Sequence, residues 1–258
     1  TTTGTDGTYR FENLAFGNYV VKEVVPTGSY AITPVEVGAD LSAGTPTVSN
    51  VNFANTVFAK IVGEKYDDSN GALAGGTFTV VPDWTIRLYE NGTDVDGDGQ
   101  TNSLIATQTT GAGGAYEFKD LKLGSYKIEE VVQTGWNNVS PTFHNVVLDQ
   151  SGMTYGDDTG EVTDFVNYRY GRITGEKYED ANGTLPEGTQ TAVPSWKVTL
   201  YKDAGGGTLG DKVAETTTNS SGVYEFTNVD LGNYVVVEEG QTGWKAISPT
   251  QRLVTIDE

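Results

Sequence analysis

Two sets of carboxylates in this chain are spaced to do chemistry. In the stretch TDVDGDGQTN, Asp94, Asp96 and Asp98 alternate and Gly99 follows. Three carboxylates crowded on a short loop repel one another unless a cation intervenes. Their spacing fits the first half of an EF-hand-like calcium loop. Oxygens stand at the first, third and fifth positions, a glycine makes the sharp turn, the Gln100 carbonyl is seventh and Asn102 is ninth. Ile105 holds the position where such loops carry a bidentate glutamate. We read Asp94, Asp96, Asp98, Gln100 and Asn102 as a Ca2+ site, against the plainer reading of a polar hairpin tip.

The second set is Glu23, Glu130 and Glu238, each four residues after a tyrosine (Tyr19, Tyr126, Tyr234). In Tyr126-Lys-Ile-Glu-Glu130, strand alternation puts Tyr126, Ile128 and Glu130 on one face and Lys127 and Glu129 on the other. A carboxylate in line with core residues is costly unless it is paired, hydrogen-bonded or neutralised. Other chemistry is thin. The single His144 reads as an exposed strand residue with no nucleophile repeated near it. The glycine-rich AGGGTLGDK lacks the Lys-Ser/Thr ending of a phosphate loop and reads as a hairpin turn. With no cysteine and no recurring Ser-His-Asp order, the chain is expected not to be an enzyme.

The elements that must position these groups repeat. GTYRFENLAFGNY (Gly7 to Tyr19), GAYEFKDLKLGSY (Gly114 to Tyr126) and GVYEFTNVDLGNY (Gly222 to Tyr234) align without a gap, and Tyr9, Tyr116 and Tyr224 fall 107 and 108 residues apart. IVGEKYDDSNG (Ile61 to Gly71) matches ITGEKYEDANG (Ile173 to Gly183), and VPDWTIRLYE (Val81 to Glu90) matches VPSWKVTLYK (Val193 to Lys202). The expected organisation is a C-terminal half-repeat over 1–57, a complete repeat over 58–170 and a repeat lacking its last strand over 171–258, a window on a longer tandem array. Trp84, Trp136, Trp196 and Trp244 recur in register, as core or interdomain packing would require.

Short alternating runs bounded by Gly, Asn, Asp and Ser dominate, so the fold class is all-β, in tandem Ig-like antiparallel sandwiches. A net charge of −19 disfavours nucleic acid and anionic membranes. No apolar run approaches a membrane-spanning length. Four Asn-x-Ser/Thr sequons, at Asn91, Asn138, Asn182 and Asn219, fall in expected turns and are glycosylation candidates.

The order G-E-K-Y-x-D-x-N-G, then W-x-(I/V)-x-L-Y, then G-x-Y-x-F with G-x-Y-x-x-x-E and T-G-W, then F-x-N, resembles the B-type repeats of serine–aspartate surface proteins. It also resembles the wider group of collagen-adhesin B-like, prealbumin-like sandwiches. The resemblance covers essentially the whole chain. It implies a seven-stranded antiparallel sandwich used as a stalk or fibre module on a microbial surface. In isopeptide-forming members of that group a glutamate in the Y-x-x-x-E position promotes a bond between a first-strand lysine and a last-strand asparagine. Carried onto this chain, the trio is Lys65, Glu130 and Asn167. Lys177 and Glu238, and Glu23 and Asn55, are partial sets. The acidic continuation that calcium-binding B repeats place after Asp68-Ser-Asn70-Gly71 is missing here.

Asn55 to Ile61 and Asn167 to Ile173 are both six steps with no Gly-Ser run, so neighbouring sandwiches are expected to pack end to end with little hinge freedom. The expected function is a non-enzymatic extracellular, cell-surface rod: a filament, sheath or adhesin stalk. Its partners would be copies of itself or neighbouring repeats, including strand donation between chains. The alternative is a ligand-binding adhesin region recognising a host or neighbour-cell polymer.

Overall fold

The structure, a computed structural model, describes residues 1–91, 102–156, 163–185 and 189–257. The described residues hold 22 strands and no helix. The Asp94, Asp96, Asp98 and Gln100 loop lies outside them.

The fullest sandwich is built around Ala59–Asp68, whose burial alternates strictly over most of its length. Residues 59, 61, 63 and 65 face inward, as a strand period of two dictates. Four segments pair with this strand. Ala115–Leu121 and Phe78–Val80 run antiparallel to it, Thr154–Tyr155 and Phe165–Arg169 run parallel, and Trp136–Asn138 extends the sheet beyond Phe165–Arg169. The opposing sheet is antiparallel, in the order Phe143–Leu148, Gly124–Glu130, Thr85–Asn91, Asn102–Thr109. The sandwich is therefore not antiparallel throughout: its first and last strands lie side by side and run the same way, with Phe165 opposite Lys65 and Asn167 opposite Asp67. Between the sheets sit Ile61, Trp84, Ile86, Leu88, Phe118, Ile128 and Phe165, all nearly inaccessible to solvent.

A second core forms from Ile173, Trp196, Val198, Leu200, Phe226, Tyr234 and Val236. Its larger sheet runs Leu209–Thr217, Lys197–Asp203, Gly232–Glu238, Gln251–Ile256, and Gly171–Glu176 pairs with Val223–Val229. Over residues 1–57 two short hairpin-like pairs form, Gly17–Lys22 with Glu36–Leu41 and Ser29–Ala31 with Asn55–Val57, and no residue there is buried.

The repeated motifs have local physical reasons. The Gly-x-Tyr hydroxyls of Tyr19, Tyr126 and Tyr234 each donate to the carbonyl four residues earlier, at 2.8, 2.8 and 2.7 Å. The backbone N–H groups of Trp84 and Trp196 donate to the Thr110 and Thr218 hydroxyls, which in turn donate to the Val81 and Val193 carbonyls. The glycine of Gly-Glu-Lys-Tyr is there for its neighbour. A Cβ on Gly63 would stand 2.6 Å from the Tyr116 hydroxyl, and one on Gly175 would stand 2.3 Å from that of Tyr224. Each glycine is thus the seat of the tyrosine from Gly-x-Tyr-x-Phe, its cross-strand partner.

Candidate functional site

Three strands bring the predicted trio together. Lys65 follows Gly63 by two on the first strand, Glu130 ends Gly124–Glu130, and Asn167 is central in Phe165–Arg169. Lys65 and Asn167 are 0% exposed and Glu130 3%. The Lys65 ammonium donates to the Tyr66 carbonyl at 2.7 Å and the Phe165 carbonyl at 3.3 Å. It lies 3.9 Å from Glu130 Oε2, beyond hydrogen-bond distance. It also sits 4.4 Å from the Trp84 ring centroid and 5.9 Å from that of Trp136, whose rings meet edge to face.

Around it, polar groups are left without ordinary partners. Both carboxylate oxygens of Glu130, both amide atoms of Asn167 and the Trp84 indole nitrogen are buried and make no hydrogen bond of normal geometry. Unpaired buried polar groups are costly, so their clustering at one point marks a strained, dry site. Burial drives the two ionisable groups toward neutrality. It raises Glu130 to about 7, opposed by the Lys65 charge and then by the Asn167 amide and Trp84 indole. It lowers Lys65 to about 8, opposed by Glu130 and Asp67. A primary amine that can lose its proton near neutrality, a carboxyl that can carry it, and an unsolvated carboxamide are the components of an amine-on-amide exchange.

Partial versions stand elsewhere. The Asn55 amide donates to Glu23 in the first segment. Lys177 pairs with Glu238 at 2.9 Å in the third, with Lys177 4.4 Å from the Trp196 ring centroid. Trp84 and Trp196 are therefore part of the lysine's surroundings. Their recurrence in register was visible in the sequence, but their partner was not.

Asn102 lies in a strand opposite Asn91, and its companions in the acidic loop are outside the described residues. The sequons do not all fall in turns: Asn91 ends a strand and Asn138 sits in one opposite Asn167, whereas Asn182 is in a turn and Asn219 lies between strands. Strand pairing outweighs the turn preference of asparagine at the first two. His144 is half-buried rather than exposed. Its ring packs 5.0 Å from Phe165 and its Nε2 lies 3.2 Å from the Asp164 carbonyl, with burial lowering its pKa. The loop after Asp68 is folded onto that buried carboxylate, which accepts N–H groups of Asn70, Ala72 and Leu73.

A family model described as the SpaA prealbumin-like fold domain matches residues 59–161. Serine-aspartate repeat-containing protein D of Staphylococcus aureus (strain MW2) is 28% identical over 271 residues, covering 94% of this chain and 18% of its own. Serine-aspartate repeat-containing protein F of Staphylococcus epidermidis is 29% identical over 262 residues, covering 94% of this chain and 14% of its own. The chain thus spans less than a fifth of the length of these curated relatives. Among solved structures, the Streptococcal ancillary pilin aligns over 95% of this chain and 72% of its own at 19% identity, with a TM-score of 0.40. The Bacillus anthracis TIE protein aligns over 99% of this chain and 42% of its own at 19% identity, with a TM-score of 0.39. Residues 59–161 match the prealbumin-like model, and over 94% of its length the chain is similar to parts of the serine–aspartate repeat-containing proteins D and F.

Proposed function

We propose that this chain is a stretch of a non-enzymatic, extracellular rod of tandem prealbumin-like sandwiches, serving as a cell-surface filament, sheath or adhesin stalk. The observation that carries the reading is the buried Lys65–Glu130–Asn167 set between a first and a last strand that lie side by side. Tension along a tandem chain enters a unit by its first strand and leaves by its last. A covalent link between those two strands lets the force bypass the rest of the sandwich. The similarity to serine–aspartate repeat proteins supports the surface location, and the repeated six-residue links support end-to-end packing.

In this reading the site links itself once. The Lys65 Nζ lone pair attacks the Asn167 side-chain carbonyl carbon and a C–N bond forms. Glu130 carries the proton from the attacking nitrogen to the amide nitrogen of Asn167. The Cγ–Nδ2 bond breaks and ammonia leaves. No oxidant or cofactor is needed. Trp84 and Trp136 keep water from the amine, and the Phe165 and Tyr66 carbonyls fix its position.

Calcium at Asp94, Asp96, Asp98, Gln100 and Asn102 is part of the same proposal. It rests on ligand spacing alone and would stiffen one unit of the rod. Glycans at Asn91, Asn138, Asn182 and Asn219 rest on the sequons alone. Negative-stain electron microscopy of the purified protein, with and without a calcium chelator, tests the rod. Straight particles or filaments with a repeating axial spacing support it, and loss of order on chelation assigns the acidic loop a mechanical part. Compact or freely jointed particles in both conditions overturn it.

A further inference from the structure

The two inter-unit junctions of the chain are built at the same rung of the repeat. Tyr30 faces Thr56 across one pair of strands, and Asn137 faces Tyr168 across the corresponding pair one repeat later. Each rung carries one tyrosine, on opposite strands, and both hydroxyls reach the same turn of the following unit. At the first junction the Leu123 N–H donates to the Tyr30 oxygen at 2.9 Å, and the Lys122 ammonium lies 5.6 Å from the Tyr30 ring centroid. At the second, the Tyr168 hydroxyl donates to Asp230 Oδ1 at 2.8 Å and accepts from the Asn137 amide at 2.6 Å.

That the turns correspond is fixed internally, because the carbonyls of Lys122 and Asp230 are the acceptors of the Tyr126 and Tyr234 hydroxyls. Each phenol is also backed from behind. The Phe58 and Tyr170 N–H groups bond the Gly28 and Gly135 carbonyls, and the rings of Phe58 and Tyr170 lie 4.9 and 6.0 Å from those of Tyr30 and Tyr168. Gly71, at φ +63°, leaves room for the Tyr168 ring, which a Cβ there would meet at 2.9 Å.

We infer that these tyrosines are clasps: each fixes one repeat against the turn between the Tyr-x-Phe and Gly-x-Tyr strands of the next, and so sets the angle between neighbours. The chemistry differs by junction. A cationic turn at Lys122 meets the ring and the oxygen lone pairs, and an anionic turn at Asp230 takes the hydroxyl proton. Burial, with Asp230 adjacent, pushes the Tyr168 phenol up to about 12, so it remains a donor at any physiological pH. Domains in one chain move relative to each other unless their interface holds them, and the clasp supplies that hold where the link alone would not. The inference deepens the rod reading and rests on it.

The chain has no cysteine, so a pair of introduced cysteines can be spin-labelled cleanly. Val147 and Leu253, 55% and 57% exposed on either side of the second junction, suit this in the full 258-residue chain. Pulsed electron–electron double resonance then gives the distance distribution. The parent should give a narrow distribution. Tyr168→Phe and Asp230→Ala should each widen it by about twofold, the unclasped pair reverting to ordinary interdomain motion. Asp230→Asn, which keeps an accepting oxygen, should leave it narrow. Asp230→Ala lies on an exposed turn, so it remains informative where Tyr168→Phe impairs folding. A broad distribution in the parent overturns the rod itself. A narrow one that neither Tyr168→Phe nor Asp230→Ala moves overturns the clasp and leaves the rod standing.

Discussion

In the middle unit Lys65 Nζ stands 3.9 Å from Glu130 Oε2, and neither side chain is exposed. In the third, Lys177 Nζ stands 2.9 Å from Glu238 Oε2, and 17% of each side chain is exposed. Both lysines lie 4.4 Å from an equivalent tryptophan ring. Among the described residues, the two sites differ chiefly in the strand Phe165–Arg169, for which residues 171–257 show no counterpart. It seals the middle site from water, offers the Phe165 carbonyl to the ammonium and adds the Asn167 amide. The ammonium is drawn onto backbone carbonyls, and a short ion pair becomes a long, dry one. The lesson is that Phe165–Arg169 does more than complete a sheet: it helps close a site where burial drives both Lys65 and Glu130 toward neutrality.

The comparison breaks most sharply when one carboxylate is removed from each unit. Glu130→Ala leaves Lys65 buried without a counter-charge and should cost the middle unit about 3–5 kcal/mol. Glu238→Ala leaves a lysine that reaches water and should cost about 1 kcal/mol or less. Calorimetric unfolding of each variant measures both. Equal losses would mean that the last strand does not change the pair.

A pH series sharpens the comparison. Glu130 is raised to about 7, so between the ordinary glutamate value and 7 the folded state holds a proton that the unfolded state has lost. Stability should therefore fall as pH rises through that window. Lys65 is lowered to about 8, so between 8 and the ordinary lysine value the unfolded state holds the extra proton, and stability should rise again. Asn167→Ala, which cannot cross-link, should show both arms with a minimum between about 7 and 8. The parent should lack the alkaline arm, since an amide nitrogen does not titrate. Thermal melts across pH decide it, and an alkaline rise in the parent would mean a free lysine.

Gly63→Ala and Gly175→Ala should each cost about 1–3 kcal/mol, because both force a tyrosine off its seat. A loss confined to Gly63 would show that the two seats are not equivalent. Tyr168→Phe should cost about 0.5–1.5 kcal/mol for a lost hydrogen bond, read as a lowered melting temperature of the full chain.

Much of the site was legible because a strand's period of two is strict. Glu130 in line with Tyr126 and Ile128, Lys65 with Ile61, and Asn167 with Phe165 are all found facing inward. What alternation cannot reveal is which strands become neighbours. The parallel pairing of first and last strands, Tyr116 seated on Gly63, and Tyr168 reaching Asp230 all join residues 53 to 100 positions apart. His144 reads as exposed until Phe165 is laid against it. Asn138 reads as a turn residue until Asn167 arrives opposite.

The most direct test is peptide mapping of the intact protein by mass spectrometry after proteolysis. The prediction is a branched peptide joining Lys65 to Asn167 with the mass of one ammonia missing, absent from Glu130→Gln. Separate, unmodified Lys65 and Asn167 peptides from the parent protein would contradict it and leave the middle unit with a buried ion pair only.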